Sequence, residues 1–347
     1  MKIISWVTFL ITLVLYLSVL VSPVNFPYAG LLPFLIPLFL AFNLFLLLVL
    51  AISLKKSAFI PLAALLIGYK FILITYQFNS SDENAPGLRV LTYNAHLFDY
   101  KRSNEGEFDS NIFSWLVDHP AEVKVFQEFY QDNTSTSRNA LKILSKNGAY
   151  EYSYHSNEGD KNRRSVGLAI FSKYPIVHEG VVFDTKYTNG AIFADIEVGN
   201  DTIRIYNTHL ESMAIQAESL DNYEQAKTVY RKTLGKLHRG SLARAEQLDI
   251  LFEHFGNSPH PVILMGDLNE IPYSYAYFKL SQKLTNAFEL AGRGFGFTYN
   301  RILFFLRIDH IFASPELTPL YFHTHREVDY SDHYPVSATY SWEGIEE

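Results

Sequence analysis

Residues 202–210 read TIRIYNTHL, an apolar–polar alternation that fits a β-strand rather than a helix. With a repeat of two, Ile203, Ile205, Asn207 and His209 share one face, which begins apolar and ends polar. The same change recurs along the chain. In PVILMGDLNE (261–270) Ile263 and Met265 share parity with Asp267 and Asn269, and in RVLTYNAH (89–96) Val90 and Thr92 lead to Asn94. In VKVFQEF (123–129) Phe126 is followed two residues on by Glu128. Core faces that repeatedly end in Asn, Asp, Glu or His imply several strands converging on one polar cleft.

Four further stretches of the same kind, VGLAIFSKYPI, GAIFADIEV, RIDHIFAS and PVSATYSW, bring the strand candidates after residue 88 to eight. Helical patterns fit between them over 108–118, 135–147, 212–255 and 275–283. No internal repeat is evident. This mixture predicts an α+β domain, two packed sheets with helices outside, rather than an alternating parallel sheet.

The first 78 residues are of another kind. They contain Lys2, Lys55, Lys56 and Lys70 and no acidic residue, and three apolar runs (3–21, 31–54 and 58–78) fill most of the rest. Each run is near the ~20 residues that cross a bilayer, so three transmembrane helices are expected in 1–78. A polar linker, NSSDENAPGL (79–88), leads to a catalytic domain over 89–347. Lys2 and the Lys55–Lys56 pair should face the cytoplasm, which puts the C-terminal domain outside the cytoplasmic membrane. A cleaved first run would leave two crossings and the same orientation.

Beyond residue 78, 25 basic residues face 36 acidic ones, a formal charge of −11. Such a surface repels polyanions, so nucleic acid is the less expected partner. The lipid bilayer and a phosphoester substrate are the expected ones. The chain has no cysteine, which excludes disulfides, thiolate catalysis and cysteine-ligated zinc.

Taken singly, each polar strand end has a structural explanation. Asn94 can be a turn former, His209 a satisfied core histidine, Asp267 with Asn269 an Asx-turn, Glu128 an acid at a helix N-terminus, and Ser331–His333 a turn before Pro335. Their order and company add something more. TYNAH (92–96), FQEF (126–129), NTHL (207–210), GDLN (266–269), RIDHIF (307–312) and SDHYPV (331–336) occur in the order seen in one superfamily. Over about 88–342 the chain resembles the endonuclease/exonuclease/phosphatase, or DNase-I-like, superfamily.

That resemblance implies a four-layer αββα sandwich and hydrolysis of a phosphoester assisted by Mg2+, with Mn2+ as the alternative ion. It implies Glu128 as metal ligand with Asn94 and Asp332 completing the set, and Asn94 and Asn207 on the substrate. Asp267 would be the base, Asn269 would hold water or phosphate, and His209 would donate to the phosphate. His333 would face the phosphate oxygens as imidazolium, oriented by Asp309. Abasic-site nucleases of the family carry an acidic or amide residue where this chain has His96, and a DY where it has Asp309–His310. NTHL looks more like the sphingomyelinase-like and small phosphodiesterase branches.

The expected activity is therefore a membrane-tethered phosphoesterase acting on a lipid head group or small phosphodiester. The alternative is an extracytoplasmic endo- or exonuclease with the same site. A non-catalytic scaffold would predict loss of at least one of Glu128, Asp267, Asn269, Asp309 or His333, and none is lost. Two other features stand out. The apolar run Ile302–Leu306 reads either as the buried start of a strand or as a lip touching the bilayer. Lys227, Arg231, Lys232, Lys236, His238, Arg239 and Arg244 form the most basic stretch, either a solvated helix face or a contact for anionic head groups.

Overall fold

The computed structural model describes residues 1–80, 82–99, 110–185, 188–212, 223–301 and 303–343. The chain divides into two compact units. The first comprises residues 1–77, the described part of 213–246, and 271–282; the second holds the remainder.

The first unit contains α1 (Lys2–Ser18), α2 (Ile36–Ile52), α3 (Phe59–Ile67) and α4 (Tyr69–Thr75). The expectation of three crossings is reduced here. Among the described residues one helix, Pro27–Ile52, with 26 residues and a mean hydropathy of 2.8, is long and apolar enough to span a bilayer. Helix α1 stops at 17 residues. Helices α3 and α4 meet at 60° around Gly68, where a Cβ would come within 2.2 Å of the Tyr16 hydroxyl. Close packing against Tyr16, which sequence hydropathy does not register, accompanies this break. Polar side chains join the helices: Asn43 Nδ2 donates to Thr12 Oγ1 at 2.8 Å, both buried.

Segments distant in sequence complete this unit. Tyr28 packs against His238, Phe71 against Tyr273 and Phe278, and Thr75 bonds the Tyr273 hydroxyl at 2.7 Å. Lys70 lies over the Phe278 ring, 5.1 Å from its centre.

Strands, in chain order, are β1 (Gln77–Phe78), β2 (Leu88–Asn94), β3 (Val123–Asp132), β4 (Glu151–Gly159), β5 (Arg164–Ser172), β6 (Ile176–Asp184) and β7 (Gly190–Val198). They continue with β8 (Asp201–His209), β9 (Val262–Asp267), β10 (Thr285–Asn286), β11 (Arg293–Gly294), β12 (Asp309–Ala313), β13 (Thr318–Thr324) and β14 (Val336–Ser341). All eight strand candidates are present. In the second unit these eight and four more strands build two six-stranded sheets, ordered β13-β14-β2-β3-β5-β4 and β10-β12-β9-β8-β7-β6. Each sheet has one parallel pair, β2 with β3 and β8 with β9, flanked by antiparallel neighbours. The sheets thus repeat one pairing plan although the sequence shows no repeat.

Between the sheets, Val90, Val125, Ile170 and Val336 from one meet Ile192, Ile205, Met265 and Ile311 from the other in a single apolar core. The outer face of the first sheet, with Tyr93, Phe126 and Phe171, is covered by Phe113 and Leu116 of α5 (Ser110–Asp118) and Leu141 and Leu144 of α6 (Ala140–Gly148). Over the outer face of the second sheet, His254 of α7 (Tyr223–Gly256) bonds the Tyr206 hydroxyl at 2.8 Å and packs on Phe193. These are the expected αββα layers. The remaining helices are α8 (Tyr275–Leu280), in the first unit, and α9 (Ala287–Ala291), which lends Phe288 to the core between the sheets.

Lys124 is buried on the outer face of the first sheet, 1% exposed, its ammonium donating to the Leu116 carbonyl and lying 4.7 Å from the Tyr150 ring centre. Burial, and then the Lys173 charge, draw it from 10.5 down to about 7. The unfolded chain keeps this proton at pH values where the fold has released it. The penalty on the fold is therefore full below pH 7 and fades as pH rises towards 10.5. Lys124→Met is expected to raise the Tm near neutrality and below, with a smaller gain near pH 10, as followed by thermal unfolding across pH.

Candidate active site

The strand ends that matter are those of the two parallel pairs. β2 ends at Asn94, Glu128 lies near the end of its parallel pairing with β3, β8 ends at His209 and β9 at Asp267. Strands running the same way put their C-terminal ends on one edge, so each sheet delivers two such positions. The antiparallel neighbours arrive there with their beginnings. Asp309, the first residue of β12, is opposite Asp267, and His333 lies three residues before Val336, which is opposite Thr92. Gly266 makes the approach at β9 possible: its φ is +144°, and a Cβ would lie 1.9 Å from the Thr208 carbonyl oxygen.

Asp267, 1% exposed, is the centre. Its Oδ1 accepts from the Asn269 backbone N–H at 2.9 Å, the Asx-turn expected of this sequence. Its Oδ2 accepts from Asn94 Nδ2 at 3.0 Å and faces His209 Nε2 and His333 Nε2, each 3.6 Å away. His209 Nδ1 donates to the Thr188 carbonyl at 3.2 Å, which fixes the ring and presents Nε2 to the carboxylate. Asn269 Nδ2 donates to the Leu210 carbonyl at 3.1 Å.

His333 Nδ1 bonds Asp309 Oδ2 at 2.8 Å inside the fold. Burial opposes a charge on the ring, but the Asp309 charge, the Asp267 charge and the Asp309 hydrogen bond outweigh it and raise His333 to about 10. Burial pushes the Asp309 carboxyl up, and the bond to His333 opposes that rise. The imidazole therefore holds the proton. The Asp309 N–H donates to Thr298 Oγ1 at 3.2 Å, and Tyr299 sets its ring edge-on against His333 at 5.3 Å.

Asp267, Asp309 and His333 place three donor atoms within 4.8 Å, yet a protonated imidazole cannot ligate a cation. The oxygen donors next to them fit an ion better. Glu128 is half-buried, and no described residue pairs with its carboxylate. Asn94 Oδ1 accepts from the His96 N–H at 3.1 Å. Asp332 Oδ1 accepts from Ser331 Oγ at 3.4 Å and faces His96 Nδ1 at 3.6 Å. An all-oxygen set that includes an unpartnered carboxylate suits a hard divalent cation.

Backbone conformation also marks the place. His96, Leu97, Phe98, Glu128 and Asn269 have φ between 42° and 61°, left-handed values that cost side-chain-bearing residues about 1–3 kcal/mol each. At Glu128 this accompanies an irregularity in the β3–β5 register between Phe126 and Phe129. Strict alternation would have set Glu128 beside Phe126 on the outer face, and the irregularity overrides it.

One further expectation changes. Asn207 was expected on the substrate, but its amide is fully engaged by protein. Oδ1 accepts from Gln127 Nε2 at 2.6 Å, and Nδ2 donates to the carbonyls of Phe126 at 2.8 Å and Ala169 at 2.9 Å. It ties β8 to the opposite sheet. His310, in the unusual Asp-His pair, is buried with Nε2 on the Glu270 carbonyl at 2.8 Å and drawn down to about 3 by burial, so it is a neutral core residue. Sequence reasoning missed Gln127, Thr298 and Tyr299. The last two come from a loop with no strand pattern, and Gln127 reads as an ordinary polar position.

Two facing sheets that bring parallel-pair ends to one acid–imidazole cluster define an α+β fold of the DNase-I-like class. The chain belongs to the Endonuclease/Exonuclease/phosphatase family, whose profile matches residues 91–333 and whose members are hydrolases acting on phosphoesters. Residues 1–75 match a family described as a domain of unknown function. No curated protein matches the sequence. Among solved structures, an endonuclease/exonuclease/phosphatase from Beutenbergia cavernae is similar over 75% of this chain and 72% of its own, at 18% identity and a TM-score of 0.54. Mannosyl-6-phosphatase from Bacteroides thetaiotaomicron covers 74% of this chain with 100% of its own, at 19% and 0.51. TDP2 of D. rerio, complexed with a single-strand DNA product, does so over 74% and 100%, at 17% and 0.51. At these identities the likeness is one of fold.

Asp309→Asn removes the charge that holds the proton on His333. It should lower kcat by about 10²–10⁴ and move the alkaline limb of the pH–rate profile down towards neutrality. Asn207→Ala should instead cost about 2–3 kcal/mol of stability by stranding buried partners, as measured by denaturant unfolding.

Proposed function

We propose that this protein is a membrane-tethered, divalent-metal-dependent phosphodiesterase that hydrolyses a lipid head group outside the cytoplasmic membrane. The observation that carries the hydrolytic reading is Asp267 Oδ2, a buried carboxylate oxygen held by Asn94 and faced by two imidazoles. Asp267 accepts a proton from the attacking water, and Asn94 keeps that oxygen in place. Protonated His333, oriented by Asp309, places a positive charge where phosphate oxygens gain negative charge. His209 Nε2 offers a second contact on the same side. Glu128, Asn94 and Asp332 would hold Mg2+ or Mn2+, which supplies charge neutralisation on the phosphate. Asn269 keeps the turn that aims Asp267.

The lipid assignment is supported by the apolar run before β12. Of its two readings, the buried start of a strand does not fit Phe304 and Phe305, which are 64% and 51% exposed, although Leu306 is buried; Ile302 lies outside the described residues. They sit in a hairpin closed by the Thr298 and Tyr299 N–H groups on the Leu306 carbonyl, and its base packs on His333. An exposed aromatic pair on a loop that starts at the catalytic cluster suits a membrane surface. In the first unit, Arg231, Lys232 and Arg239 are exposed while Arg244 is buried; the side chain of Lys227 lies outside the described residues. The contacts of Tyr28 with His238 and of Thr75 with Tyr273 lie within the first unit and join the predicted outer loop and the end of the third apolar run to later chain segments. The nuclease alternative would need a basic groove, and the formal charge of −11 after residue 78, 25 basic against 36 acidic residues, opposes it.

With Mg2+, the full chain should hydrolyse phospholipid vesicles, chelator should stop it, and Asp267→Ala should lower kcat by about 10²–10⁴. Phe304→Ser with Phe305→Ser should raise the apparent KM for vesicles while leaving a soluble phosphodiester unaffected. Equal losses on both substrates would refute the lipid reading. Reporter fusions after residue 80 should report an outside location.

A further inference from the structure

The sequence His323-Thr324-His325-Arg326-Glu327 lies at the end of β13, where a period of two puts both histidines on one face. A turn, with the Val328 N–H on the His325 carbonyl at 3.1 Å, brings Glu327 over them. One ligand atom from each of His323, His325 and Glu327 lies within 4.8 Å of the others. His325 Nδ1 is 2.9 Å from Glu327 Oε1, a hydrogen bond that brings the two donor atoms to the same point. We propose that His323, His325 and Glu327 form a second metal site, separate from the candidate active site and selective for a transition ion of the Zn2+ class.

Location separates the two sites. β13 pairs with β14 so that His323 is opposite Ser337, while the neighbouring Val336 and Ala338 point into the core between the sheets. The donors are thus on the helix-covered face of the first sheet. There they line a cavity of about 650 Å³ together with Trp115, His119 and Tyr321. The cavity leaves room for a water or an external ligand to complete the coordination.

The surroundings fit a preformed site. The side chain of His325 is 12% exposed, and its ring is held between Trp115, 5.2 Å away, and His119, 5.0 Å away. These contacts fix the orientation of the His325 ring. Its Nε2 lies 2.8 Å from Ser337 Oγ. When Nδ1 takes the metal, the ring proton sits on Nε2, where Ser337 Oγ accepts it, and the ion replaces the Nδ1 hydrogen bond to Glu327. His119 is not a ligand: its Nδ1 accepts from the Ala121 N–H at 3.2 Å, which leaves the proton on Nε2. Two imidazoles and one carboxylate favour Zn2+ over Mg2+, which prefers oxygen alone. Two ions of different hardness can therefore be sorted between the two sites.

The test uses the full chain in detergent, stripped of metal and titrated with Zn2+, or with Co2+ as a coloured substitute, in excess Mg2+. The wild type and Asp267→Asn should each bind the ion, and Co2+ should show the absorption of a site with few ligands. His323→Ala and Glu327→Gln should weaken binding by about 10- to 100-fold. Because His323 and Glu327 are exposed, the unfolding of these variants without metal should match that of the wild type. Equal Zn2+ affinity in the wild type and His323→Ala would overturn the proposal, as would loss of binding in Asp267→Asn alone.

Discussion

A carboxylate enclosed between two sheets imposes the main constraint on this molecule. Asp267 is almost fully buried, and a buried charge without partners costs several kcal/mol. Its partners come from both sheets, Asn94 from one and His209 from the strand beside it in the other. The two sheets must therefore keep a fixed relation to each other. Apolar packing gives attraction but little registration, and the buried amides supply the latter. Asn207 reaches from β8 to carbonyls of β3 and β5, and Gln127 reaches back to Asn207 and across to Thr92. Shifting one sheet against the other would break the three bonds of Asn207 at once.

Several residues serve structure and site through different atoms. Asp267 turns the backbone with Oδ1 and faces the cleft with Oδ2. His209 anchors itself with Nδ1 and offers Nε2. Ser331 donates to the Asn94 carbonyl at 2.8 Å and accepts from the His333 N–H at 3.1 Å, so the turn that reads as a simple loop also ties β2 to His333. Structural and catalytic explanations of these positions are thus compatible. Left-handed backbone at Glu128 and Asn269 belongs to the same economy, since it re-aims side chains that regular strands would send elsewhere.

Much of the fold was legible in the sequence because central strands carry their burial in their own pattern. TIRIYNTHL and PVILMGDLN place apolar residues on the inner face and polar ones at its end, and both lie at the middle of a sheet. Of the strands that escaped notice, β4, β6, β10 and β13 lie at sheet edges and β1 and β11 form a separate two-residue pair; among them β4, β6 and β13 are the long ones. Their residues are half-exposed and carry little alternation. In the membrane region, composition marked the apolar segments, but hydropathy could not register the 60° break at Gly68.

By itself the sequence determined that Asn94, His209 and Asp267 close strands and that Glu128, Asp309 and His333 lie in or beside others, because period-two burial and the order of six motifs are local properties of the chain. Only the tertiary structure decided that Asn207 braces the sheets, that His310 is a core residue, that Phe304 and Phe305 are exposed, and that Glu128 leaves the alternation. Each of these depends on what lies across a sheet or around a turn, and a side chain's partners there are set by packing between segments far apart in sequence.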